Sequence, residues 1–131
     1  MSDVEIDREA LVATFLAEAE ETLAHMEQVL VSVEAAPSDE ALLHELFRDA
    51  HTLKGGAAIV GFDAVRDLAH ELEDVLERLR NRTLGVSNAI VTLLLGSVDA
   101  LRAALHAASG AAELPASAAD FRARLAEVTR R

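Results

Sequence analysis

The sequence predicts an all-α protein: an antiparallel up-down four-helix bundle with a fifth, C-terminal helix packed against it. Three observations predict this. Ala, Leu, Glu and Arg dominate the 131 residues, Tyr and Trp are absent and only four Phe occur, a composition that favours helix over sheet. Four successive segments repeat apolar residues every three or four positions, the period of a helix with one buried face. The connections between them are short, so consecutive helices should lie antiparallel. The length suits a single domain over residues 1–131, large enough to bury a core without disulfides or metals.

The first helix is expected from about Asp7 to Glu34, with Leu11, Phe15, Ala19, Thr22, Met26, Val29 and Val33 on its apolar face. Ala35-Ala36-Pro37-Ser38 breaks it, and Ser38 is the expected N-cap of a second helix reaching about Val60. Its core stripe is Leu43, Leu46, Ala50, Leu53, Ala57 and Val60. Gly61-Phe62 ends that helix, and Asp63 is placed to cap a third, to about Arg82, whose stripe is Val65, Leu68, Leu72, Val75, Leu76 and Leu79. Gly85 marks the next break, with Ser87 capping a fourth helix to about Ala108. A loop over 110–115 leads to a short fifth helix, capped by Ser117 and ending near Arg130.

Composition narrows the function. A formal net charge of −11 argues against nucleic acid and against an anionic membrane surface, both of which need clustered Lys and Arg. Without cysteine there are no disulfides and no thiolate metal ligands. The acidic start is no signal peptide, and apolar runs such as 89–95 are too short to span a bilayer, so a cytoplasmic chain without membrane insertion is expected. Residues 1–36 hold nine acids against one base, Arg8; this is a solvated helix face or a surface that steers a basic partner.

One run breaks the helical rules: His51-Thr52-Leu53-Lys54-Gly55-Gly56, in the middle of the second helix. Each interior glycine costs about 1 kcal/mol relative to alanine. Lys54 is the only lysine in the chain, beside eleven arginines, and it stands three residues after His51. At 100° per residue, His51 lies off the centre of the core stripe and should be largely exposed. Phe47, Arg48, Lys54 and Gly55 are its neighbours on that flank, with Ala58 one turn further and His44 two turns before. On the third helix, Glu73 falls at the apolar edge beside Ala69 and Leu76, from where a carboxylate can reach the second helix. His70, three residues earlier, is its neighbour. A carboxylate accepting from Nδ1–H fixes the tautomer in which Nε2 is a nucleophile, and a lysine can pair with arriving anionic oxygens. Histidine, lysine and glutamate so arranged can accept a phosphoryl group. No phosphate-cradling glycine loop and no acid–base pair for hydrolysis accompany them.

The segment 46–57, the Gly61-Phe62 turn and the third-helix run His70-Glu71-Leu72-Glu73 together resemble the histidine phosphotransfer (HPt) domain, and within it the N-terminal P1 domain of CheA-type chemotaxis kinases. The resemblance covers nearly the whole chain. It implies that His51 is the phosphoacceptor, that Glu73 is hydrogen-bonded to it, that Lys54 and His70 complete the polar network, and that Gly55 gives a receiver domain room to dock. His44, Phe47, Arg48 and Ala58 join Gly55 as candidate partner contacts. The implied partners are a CheA-type ATP-binding kinase domain and CheY-like or CheB-like receiver domains. The domain itself binds no cofactor: ATP and Mg²⁺ belong to the kinase domain, and Mg²⁺ to the receiver. It is then a phosphocarrier rather than an enzyme, monomeric when isolated, and part of a longer histidine kinase.

Three other readings stand beside this one. The chain is a stand-alone HPt domain of a multistep phosphorelay; or a metal-binding bundle using Asp67, His70, Glu73 and His51; or a pure interaction module. The paired Glu-x-x-His motifs of di-iron bundles are missing, which weighs against metal. His25 and His106 are read as plain helix-surface residues.

Overall fold

The computed structural model describes residues 3–110 and 113–130, with side chains described from residue 7 onward. Five helices follow one another: α1 (Asp3–Ala35), α2 (Glu40–Val60), α3 (Asp63–Arg80), α4 (Asn88–Ala108) and α5 (Ala116–Arg130). Helix α1 packs on α2 and α4, α3 packs on α2 and α4, and α5 lies along α3 and α4. The first four helices therefore close a ring, and the fifth covers its α3–α4 side.

The α2 stripe is buried at every expected position. On α3 the expected six are joined by Ala69 and Glu73. Helix α1 differs more. It begins four residues earlier than expected, Leu11 is exposed, Thr22 is only half-buried, and Leu23 and Leu30 enter the core instead. A helix that serves two neighbours needs a wider buried arc than a single three-four stripe traces.

The caps explain the remaining boundaries. Asp39, not Ser38, caps α2: its carboxylate accepts from the Ala41 amide at 3.0 Å. Asp63 sits inside the first turn of α3, where it pairs with Arg66, and no side chain caps that helix. Ser87 does cap α4, accepting from Ile90 N–H. Ser117 lies within α5, which starts one residue before it, and the Pro115 carbonyl takes the Ala118 amide.

Two left-handed residues shape the hairpins on either side of α3. At Gly61 (φ 78°) the Phe62 amide reaches back to Ala57 O at 2.9 Å and the Gly61 amide to Ala58 O, closing α2 in a Schellman turn. Phe62 then packs edge-on against Phe15 of α1, and Arg8 of α1 donates to Val60 O. Arg82 (φ 61°) does the same for α3, with Thr83 N–H bonded to Arg78 O, so α3 stops at Arg80 rather than Arg82. A non-glycine residue is strained there. Its guanidinium is fastened to Glu40 at 2.9 Å across the bundle end.

Helix α4 is long and apolar enough to cross a membrane by length and composition alone, a test that the core helix of a bundle also passes. Val91, Leu94, Val98, Leu101 and Leu105 are nevertheless buried against the other helices, as in the core helix of a bundle.

Candidate functional site

The tight α2–α3 hairpin sets the site. His51 lies ten residues before Gly61 and Glu73 twelve after it. At 1.5 Å per residue both stand roughly 15–18 Å from the turn, level with one another on adjacent antiparallel helices. His51 Nδ1 meets Glu73 Oε2 at 2.5 Å, and Lys54 Nζ donates to Glu73 Oε1 at 2.7 Å. With Nδ1–H donating to the carboxylate, Nε2 carries the free lone pair; it makes no hydrogen bond among the described residues, and 65% of the histidine side chain is exposed.

Glu73 is the buried charged residue of the described chain. Burial pushes its carboxyl up, but the hydrogen bonds from Lys54 and His51, with the charge on Lys54, outweigh that and hold it below the usual glutamate range. It is therefore a firmly ionised acceptor whose two oxygens are both in use. An already ionised carboxylate, fixed by a lysine on one oxygen, orients the imidazole through the other.

The two glycines part company. A Cβ at Gly55 would meet nothing within 4 Å, so α2 offers open space one turn beyond His51. A Cβ at Gly56 would sit 2.6 Å from the Phe15 ring of α1. Only Gly55 opens the surface; Gly56 exists to let α1 approach.

His70 does not join the hydrogen bonds around Glu73. It is exposed, and its Nε2 faces Asp74 at 3.5 Å. With Lys54, Gly55, Ala58, Arg66 and Asp67 it lines a shallow hollow of about 390 Å³ between α2 and α3. The metal set Asp67, His70, Glu73 and His51 is not assembled. Asp67 is taken by Arg66 at 2.9 Å, and Glu73 already holds the Lys54 ammonium. The donors of His70, Glu73 and Asp74 do fall within 4.8 Å of one another, but Glu73 spends both its oxygens elsewhere.

Toward the start of α2, the half-buried Phe47 lies nearly parallel to the His51 ring (11°, centroids 6.2 Å apart) and carries the Arg80 guanidinium 4.0 Å from its own centroid. His44 Nδ1 accepts from Arg80 at 3.3 Å. Arg48 and Ala58 are exposed on this flank. Sequence reasoning passed over Ile59, 70% exposed and four residues beyond Gly55, although the same periodicity that placed Ala58 marks it.

It also passed over a second histidine–carboxylate pair. His25 of α1 is no plain surface residue: its Nδ1 lies 2.6 Å from Asp49 Oδ2, and its Nε2 is 3.5 Å from Glu45. The hydrogen bond to Asp49 pushes the imidazole up; burial pushes the Asp49 carboxyl up, against the pull of His25.

Comparison with known proteins gives the family and the fold. Residues 10–111 match the family model described as Hpt domain. The chain is 36% identical over 126 residues to the chemotaxis protein CheA of Treponema pallidum, covering 95% of this chain and 16% of that protein. It is 36% identical over 115 residues to CheA of Listeria monocytogenes, covering 85% of this chain and 19% of that one. It thus spans less than a fifth of the length of these relatives. Among solved structures, the solution structure of the histidine phosphotransfer domain of CheA superposes with a TM-score of 0.78 at 27% identity, over 91% of both chains. The phosphorylated P1 domain of CheA3 from R. sphaeroides, crystallised in complex with CheY6, gives 0.75 at 26% identity over 91% of this chain and 98% of that one.

Proposed function

The chain belongs to the Hpt domain family, and from that premise we propose that it is the phosphocarrier domain of a CheA-type chemotaxis kinase, with His51 as the phosphoacceptor. One observation carries the reading: a mostly exposed histidine whose Nδ1 is tied to a buried, ionised glutamate while Nε2 faces solvent. The Nε2 lone pair forms a bond to the γ-phosphorus of ATP held by a kinase domain; the bond from that phosphorus to the bridging oxygen breaks, and ADP departs. The imidazole gains positive charge as this happens. Glu73, at 2.5 Å from Nδ1, stabilises that charge and keeps the proton where it is. Lys54 holds Glu73 ionised, and its ammonium lies one helical turn from His51, within reach of phosphoryl oxygens.

Transfer follows in the reverse sense, to an aspartate of a CheY-like or CheB-like receiver. The open space at Gly55, with Ala58 and Ile59 along the same flank, lets such a partner bring its acidic site up to Nε2. ATP and Mg²⁺ belong to the kinase domain, and Mg²⁺ to the receiver, which leaves this domain two tasks: to present the nucleophile and to dock. Phosphoryl transfer of this kind sets the domain in the cytoplasm. The exposed His70 borders the same approach through the hollow it shares with Lys54.

The test is incubation with γ-labelled ATP and a CheA-type kinase core. An acid-labile, base-stable phosphoryl group is expected on the chain and absent from His51→Gln; label retained by that variant refutes the assignment. Profiling transfer to receiver domains separates a CheA-type carrier from a stand-alone phosphorelay domain. The former should serve chemotaxis receivers with the fastest rates.

A further inference from the structure

Glu73 holds His51 by one hydrogen bond, and one hydrogen bond fixes a point on a ring without fixing its plane. The ring is also tethered at Cγ, but coupled changes in χ1 and χ2 can keep that hydrogen bond while tilting the imidazole plane, which shifts the direction of Nε2. The second contact of the ring is Phe47, one helical turn earlier and within 11° of parallel. Phe47 is itself half-buried against the core and has the Arg80 guanidinium over its face at 4.0 Å. That guanidinium is steadied by the acceptor nitrogen of His44 at 3.3 Å. A cation over an aromatic face is attracted by the negative face of the ring quadrupole. The series His44, Arg80, Phe47, His51 therefore links the last turn of α3 to the reactive ring by a route separate from Glu73.

We propose that Arg80 is a positioning residue for His51, acting through Phe47. It holds the phenyl ring in the one orientation that supports the imidazole plane, so that Nε2 points outward for in-line attack. This rests on the reading of His51 as phosphoacceptor. Arg80 makes no hydrogen bond to His51 among the described residues, so its effect passes through the stack rather than through contact with the reacting nitrogen.

The test has two arms. In the first, side-chain ¹⁵N NMR of the unphosphorylated domain reads the His51 tautomer and the mobility of its ring. Arg80→Met is expected to lower the share of the Nδ1–H tautomer and raise ring mobility, while circular dichroism shows an intact bundle. Arg80→Lys, which keeps a cation in the last turn of α3, should restore both in part. In the second arm, phosphoryl uptake is measured over a range of carrier-domain concentrations that brackets KM. Arg80→Met should slow kcat about two- to fivefold with little change in KM. Phe47→Leu should slow it at least as much, and adding Arg80→Met to Phe47→Leu should cost nothing further.

An unchanged NMR signature in Arg80→Met overturns the proposal. So does an Arg80 effect that persists undiminished beside Phe47→Leu or appears only in KM, since Arg80 then meets the partner directly. If wild-type His51 takes no phosphoryl group, the phosphoacceptor reading falls, while the NMR arm still decides whether Arg80 sets the ring. Should Arg80→Met lose helix, Arg80→Gln and Arg80→Lys carry the same comparison.

Discussion

Helix α2 has two seams, one against α3 and one against α1, and each holds a histidine bonded through Nδ1 to a carboxylate. At the α3 seam, His51 is mostly exposed, its glutamate is buried, and a lysine neutralises that glutamate. At the α1 seam, His25 is squeezed between two acids, Asp49 and Glu45, with its second nitrogen facing the latter. The first arrangement leaves a lone pair pointing at solvent. The second invites a second proton, and an imidazolium has no lone pair to give. A histidine–carboxylate pair is thus not a nucleophile by itself; what faces the other nitrogen decides.

The sharpest test of that contrast is to break each histidine in turn. His51→Gln should abolish phosphoryl uptake, whereas His25→Gln should leave the rate within about twofold, the range expected for a surface change away from the chemistry. Equal loss in both would erase the distinction. Next in size, Glu73→Ala should slow uptake by about ten- to a hundredfold, taking as a guide the cost of removing carboxylates that orient metal-bound histidines. Asp49→Ala should not. Measuring kcat for the pair under one kinase preparation decides between them.

The glycines extend the comparison to packing. Gly56→Ala drives a methyl group into Phe15 at the α1 seam and should destabilise by about 1–3 kcal/mol in urea unfolding. Gly55→Ala meets nothing and should gain up to about 1 kcal/mol from helix propensity. Gly55→Leu should keep the fold and slow transfer to a receiver.

The smallest effects are in pH, and their signs oppose. Glu73 is held below the ordinary value of 4.5, so its stabilising contribution is present above that value and lost as pH falls through the lowered one. His25 is raised above 6.5, so its contribution is complete below 6.5 and lost as pH rises through the raised value. His25→Gln should flatten the alkaline limb of a stability profile by under about 1 kcal/mol, given how exposed the pair is. Glu73→Gln should flatten the acid limb.

Much of the α3 seam was legible in the sequence, because helical period and a two-residue turn leave little freedom in which residues stand level. His51 and Glu73 needed only those two facts. His70 was misjudged since three residues on a helix is 300°, and the remaining 60° turns it from the carboxylate toward solvent and Asp74. The α1 seam was illegible for a different reason: His25 and Asp49 are 24 residues apart, and no periodicity within either helix fixes how α1 rotates against α2. Ser87 caps α4 as the sequence suggests, whereas the expected caps of α2, α3 and α5 do not form. Ser38 and Asp39 are both good caps one residue apart, and only the backbone angle at Asp39 selects it. Arg82 took a role for which sequence reading looks to glycine, with Glu40 as its anchor.

The single lysine has one more consequence. A lysine-specific endoprotease has one bond to cut in this sequence, Lys54–Gly55, and that bond lies inside α2 between the reactive histidine and the turn to its carboxylate. Cleavage requires the helix to open there. The rate of that single cut is therefore a direct clock for local opening at the site, readable as one chain becoming two fragments, and phosphorylation or a bound receiver should slow it.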